Sequence, residues 1–106
     1  MANEIEKRFD EAMMNIYQRA LTEVHYRATR YHRMLCENGG IDTAQILINS
    51  KVVSDGYTAL WERGRLDLTV EALVLDEQWY SLFTDEELDI ARKRLQDYGY
   101  HYKGHL

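Results

Sequence analysis

One apolar stripe constrains this chain more than any other feature. Ile5, Phe9, Ala12, Met13, Ile16, Ala20, Val24, Ala28, Tyr31 and Leu35 recur three or four residues apart, and that spacing gathers them on one side of an α-helix. No Gly or Pro interrupts residues 3–38, and Gly39-Gly40 follows as a stop, where a left-handed backbone costs Gly least. The reading is one long N-terminal helix over residues 3–38. At about 1.5 Å per residue it would be roughly 54 Å long. A chain of 106 residues cannot cover such a rod, so part of the stripe is expected to meet a second copy in a homodimer through helix 1. With the adjacent Ala12 and Met13 counted as one position, the apolar steps from Ile5 to Leu35 average about 3.75 residues, longer than the roughly 3.5 of a left-handed coiled coil. That drift argues against a heptad zipper and for an antiparallel helix pair or a bend near residues 22–24.

The rest of the chain reads as shorter helices. Asp42 with Gln45 forms a candidate capping box for a second helix carrying Ala44, Ile46, Leu47 and Ile48, with Val52 and Val53 near its end. The β-branched pieces also suit short strands, but no partner strand is evident. Ser54-Asp55-Gly56 is a turn, and Tyr57 to Arg63 is a short helix stopped at Gly64. Asp67 or Thr69 caps a helix that is apolar nearly all round, which is the pattern of a buried segment. Thr84 and Glu87 form the clearest capping box, with Phe83 placed to staple onto Leu88. That last helix closes at Gly99. The fold class is therefore all-α: a single domain with a long N-terminal helix (1–39), about four shorter helices packed on it (41–99) and a flexible tail (100–106).

Charge and cysteine usage then narrow the function classes. A formal charge of −5 argues against nonspecific coating of nucleic acid or anionic membrane. The single cysteine, Cys36, cannot make an internal disulfide, which fits a reducing cytoplasm. No apolar run approaches the roughly 18 residues of a membrane span, and the N-terminus lacks the apolar core of a signal peptide. There is no GxSxG, GxxxxGK[ST], HExxH or GxGxxG. No enzymatic activity and no cofactor are expected.

Residues 64–100 carry Gly64-Arg65-Leu66-Asp67-Leu68-Thr69, Glu71-Ala72-Leu73, Leu82-Phe83-Thr84 and Ala91-Arg92. This segment resembles one that recurs in small uncharacterised bacterial and mobile-element proteins. The resemblance implies a bacterial or phage cytoplasmic protein, and it brings no catalytic residues.

The one basic, aromatic-rich stretch is residues 25–33. On a continuous helix Arg19, Arg27, Arg30 and Arg33 fall within roughly a 120° arc, with Tyr26 among them. Such an arc suits a solvated face, a protein-binding face or nucleic-acid contact, because Arg and Tyr serve both hot spots and phosphate or base contacts. The expected function is a non-enzymatic protein-binding module, an adaptor or inhibitor of a larger complex, touching an unidentified protein partner through Tyr26, Arg27, Arg30, Tyr31, Arg33 and Trp61. Trp79 is a further aromatic candidate whose better reading is the core. The alternative is a nucleic-acid-binding regulator using the same basic patch. A helix-turn-helix over residues 43–58 is disfavoured, since Asp55 would face phosphate.

His25, Thr29, His32 and Cys36 share another face of that helix. His32 with Cys36, and His101 with His105, have the i,i+4 spacing of shared metal ligands; no metal is expected, because nothing brings the tail to the helix. Glu71 is either a buried acid of catalytic type or the one solvent-facing residue of its helix, and the second reading is preferred.

Overall fold

The computed structural model describes residues 3–100. Six α-helices follow one another: α1 (Glu4–Val24), α2 (Thr29–Asn38), α3 (Gly40–Asn49), α4 (Asp55–Glu62), α5 (Val70–Val74) and α6 (Asp85–Asp97). Two 3-10 turns, Leu66–Leu68 and Glu77–Leu82, flank α5. The described residues contain no strand, and no helix among them is long and apolar enough to cross a membrane. The all-α expectation holds, and the first helix is the longest.

That helix does not run to residue 38. His25 adopts a left-handed backbone, φ 57°, and the Tyr26 N–H turns back onto the Ala20 carbonyl at 3.0 Å. α2 then folds back along α1. The Tyr31 hydroxyl donates to the Met13 carbonyl (2.8 Å), the His32 ring lies against Tyr17 (4.7 Å), and the Gly40 N–H donates to Asp10 (2.7 Å). Later residues meet earlier ones, so the pair is antiparallel, as the drift of the apolar steps suggested. A straight rod of roughly 54 Å would overrun a molecule 38 Å in its longest dimension. The break lets the two halves of the stripe cover one another. Phe9, Met13, Ile16, Ala20 and Leu35 are all buried within one chain. The homodimer expectation thereby loses its premise.

Two other boundaries shift for tertiary reasons. α3 starts at Gly40 without a side-chain cap of its own, so the Asp42–Gln45 box does not form; Asp10 of α1 supplies the acceptor instead. A Cβ at Gly40 would lie 2.7 Å from Asp10 Oδ1 and 3.1 Å from the Phe9 ring, so any other residue there would push the Asp10 carboxylate and the Phe9 ring aside where α3 abuts α1. At the other end α3 stops at Asn49, and Val52 and Val53 fall outside it in a loop.

The later helices follow local signals. Thr69 caps α5, and Thr84 with Glu87 makes the reciprocal capping box of α6. Phe83 and Leu88 are both buried in the main core. Gly64 and Gly99 take positive φ after α4 and α6. The core centres on Phe9, whose ring meets Trp79 and Phe83 edge-on at 5.2 and 5.4 Å. Trp79 is therefore a core residue. Tyr100, expected in a flexible tail, packs on this core, with its N–H bonded to the Leu95 carbonyl at 2.9 Å.

Candidate functional site

The break that ends α1 also builds a deep recess lined from four sides. Ala28 takes φ −82° and ψ 71°, and the Thr29 N–H bonds to the Arg27 carbonyl at 2.9 Å, a tight inverse γ-turn. This turn holds residues 26–30 away from α1, opposite the loop joining α3 to α4. Between them lies a cavity of about 520 Å³. Its deep wall consists of buried residues: Ile16 and Ala20 from α1, Tyr57 and Leu60 from α4, and Leu68, Val70 and Glu71. Its rim consists of exposed ones, chiefly Arg27, Arg30, Ile46, Val52 and Asp55. Ile46 is 50% and Val52 72% exposed.

Tyr26 closes one edge. Its hydroxyl lies beside Gly56 at the start of α4, 3.9 Å from where a Cβ would stand. The Arg63 guanidinium sits over its ring at 5.0 Å, a cation–π contact. Arg27 and Arg30 make no ion pair among the described residues.

Most polar groups in the deep wall are engaged internally, the half-buried Tyr17 and Tyr26 hydroxyls being without a hydrogen-bond partner among the described residues. The Tyr31 hydroxyl donates to Met13, the Tyr57 hydroxyl donates to the Arg94 carbonyl at 3.1 Å, and the Thr69 hydroxyl donates to the Leu66 carbonyl at 2.6 Å while accepting from the Ala72 N–H. Burial pushes both tyrosine hydroxyls above their ordinary pKa, so they remain donors.

Glu71 corrects the solvent-facing expectation, being 4% exposed. Its carboxylate accepts from Arg94 at 2.8 Å. Arg94 also donates to the carbonyls of Leu47 (3.2 Å), Ile48 (3.4 Å) and Ser50 (2.8 Å), capping the end of α3 from α6. Burial raises the Glu71 pKa, and the Arg94 hydrogen bond works against that rise. A signal for this pair was present: with α5 apolar nearly all round, its acid had no solvent face to occupy.

The structure thus brings together Tyr26, Arg27, Arg30 and Tyr31 of the expected contact set, all lining the cavity. Arg33 and Trp61 are exposed but lie outside it. The four-arginine arc does not exist, because its helix is broken. Arg19 is instead tied to Glu23 (2.7 Å), which also binds Arg65 (2.8 Å); hydrogen bonds from these two guanidiniums lower the Glu23 pKa to about 2. The break also separates His25 from the face holding His32 and Cys36, whose Nε2 and Sγ lie 3.8 Å apart. His101 and His105 lie outside the described residues. Among the described residues no three His, Cys, Asp or Glu side chains are grouped to hold a metal. No family model matches the chain, and neither a curated protein nor a solved structure matches it at a significant level.

Proposed function

We propose that this chain is a non-enzymatic protein-binding module, an adaptor or inhibitor of a larger complex, whose contact face is the rim of the cavity. The observation that supports this reading is the pairing of Arg27 and Arg30, free of ion pairs among the described residues, with exposed Ile46 and Val52. Arg and aromatic anchors beside an apolar recess are the composition of interface hot spots. Apolar surface rimmed by polar groups marks contact sites when it is contiguous, and Ile46 and Val52 share this rim. The partner suited to this rim presents carboxylates next to aliphatic or aromatic side chains. A bacterial or phage setting follows from the resemblance of residues 64–100 alone, and a cytoplasmic one from the free Cys36. Self-association through α1 is the lesser arm, since a single chain already buries that helix's stripe. Nucleic-acid contact is also weaker, because Arg19 is committed to Glu23 and Asp55 stands on the same rim.

Affinity capture with the wild-type chain, the Arg27→Ala/Arg30→Ala variant and an Arg33→Ala control tests the reading. Expected is a protein retained by the wild type and the control and lost by the double variant. The same proteins captured by all three would overturn it. A salt series on that complex separates the rival. Phosphate-driven binding loses affinity with a log–log slope of about −0.9 per neutralised phosphate, whereas an apolar anchor holds at high salt.

A further inference from the structure

We propose that the interior of the cavity is a binding site for a small anionic amphiphile, an apolar tail ending in a carboxylate. This goes beyond the partner reading and does not rest on it. The recess of about 520 Å³ falls within the roughly 300–1,000 Å³ typical of small-molecule sites. Apart from the half-buried Tyr17 and Tyr26 hydroxyls, its wall offers a ligand little to hydrogen-bond. The Tyr31, Tyr57 and Thr69 hydroxyls are each spent on a backbone carbonyl, and the Glu71 carboxylate is spent on Arg94. A sugar, a nucleotide or a polar peptide would lose its water there without replacement. An aliphatic tail loses nothing and gains contact with Ile16, Ala20, Leu60 and Val70.

The head group is chosen at the rim. Arg27 and Arg30 stand there without a carboxylate of their own, and a guanidinium fork matches a ligand carboxylate in shape as well as charge. Asp55 lies on the α4 side of the same opening, so it repels an anionic head toward the 26–30 side. The buried acid in the wall does not favour a cation, because Arg94 already neutralises it at 2.8 Å.

The test is calorimetric titration of the purified chain with decanoate below its micelle concentration, beside decanol and decyltrimethylammonium. Expected is saturable one-to-one binding of decanoate, with decanol and the cation each at least about tenfold weaker. Arg27→Ala/Arg30→Ala should weaken decanoate about tenfold and leave decanol unchanged, while Val53→Trp, which puts bulk into the recess from its loop, should abolish both. The proposal is overturned if decanoate shows no saturable binding. It is also overturned if all three probes bind alike, or if decanoate binds undiminished to both variants. Loss of decanoate binding with partner capture intact would sink this inference alone.

Discussion

The two ends of α1 are packed by the same kinds of residue and end up unlike one another. Around its first half, Phe9 and Met13 are wholly buried in a continuous core with Val74, Leu75, Trp79, Phe83 and Leu95. Around its second half, Ala20 forms a separate small cluster with Leu60 and Leu68, flanked by Val24 and Tyr26, and the 520 Å³ recess opens beside it. Apolar residues are not lacking there: Ile46, Val52 and Val53 are at hand but stay on the rim and the loop. Shape is what differs. At the first end a glycine lets α3 abut α1, and aromatic rings fill the corner. At the second, the tight turn at residues 27–29 and the 50–54 loop hold the walls apart. One end is built for stability, and the other has room left for something else.

The sharpest way to break this comparison is to make the same deletion on both sides. Phe9→Ala should cost about 3–5 kcal/mol and Leu95→Ala nearly as much, because close-packed surroundings cannot collapse into the hole. Leu60→Ala, beside an existing recess, should cost about 2 kcal/mol, the low end for such changes. Urea midpoints at constant m-value measure all three, and equal losses for Leu95 and Leu60 would remove the distinction.

Arg94 ties α6 to α5 and to the end of α3, and its loss should be of similar size. Arg94→Ala leaves Glu71 buried without its counter-charge and the α3 carbonyls without their donor, a loss of about 3–5 kcal/mol near neutral pH. The sign with pH is specific. Glu71 is already raised by burial, and without Arg94 it rises further. A raised acid destabilises the fold above its folded pKa and is relieved as pH falls through that value. The deficit of Arg94→Ala relative to wild type should therefore shrink on acidification, as read from denaturation midpoints across pH.

A smaller effect is expected at the break. His25 is the one non-glycine residue with positive φ among those described, and this conformation strains a side chain bearing Cβ. His25→Gly should stabilise the chain by about 0.5–1 kcal/mol, measured by thermal or urea unfolding. A loss instead would mean that the histidine side chain holds the turn.

The smallest effect belongs to Glu87. Burial acts to raise its pKa but is outweighed by hydrogen bonds from the Thr84 backbone, Asn49, Gln45 and the Thr84 hydroxyl, leaving it lowered. Stability from a lowered acid is complete above the ordinary carboxylate value of 4.5 and is lost as pH falls below it. Glu87→Gln should therefore flatten the acid limb of the stability curve, with little change at higher pH beyond a constant offset.

What the sequence determined by itself was whatever a few neighbouring residues could settle. Thr84 with Glu87 is a hydrogen-bonded loop three residues long, and it formed as read. Gly64 and Gly99 end helices because the required backbone angles are local, and the burial of α5 follows from having no polar side to expose. The tertiary structure decided everything that rested on distant partners. Residues 3–38 contain no helix breaker, yet the chain reverses at His25, because two half-stripes covering one another outweigh the strain of a single left-handed residue. Glu71 went inward because Arg94, 23 residues on, could meet it, and α3 ended where that same guanidinium reached its carbonyls. The recess exists only where the turn at 27–29, the 50–54 loop and α4 come together. No spacing along the chain encodes that meeting, because the terms that favour it are burial and packing between segments that are neighbours only after folding.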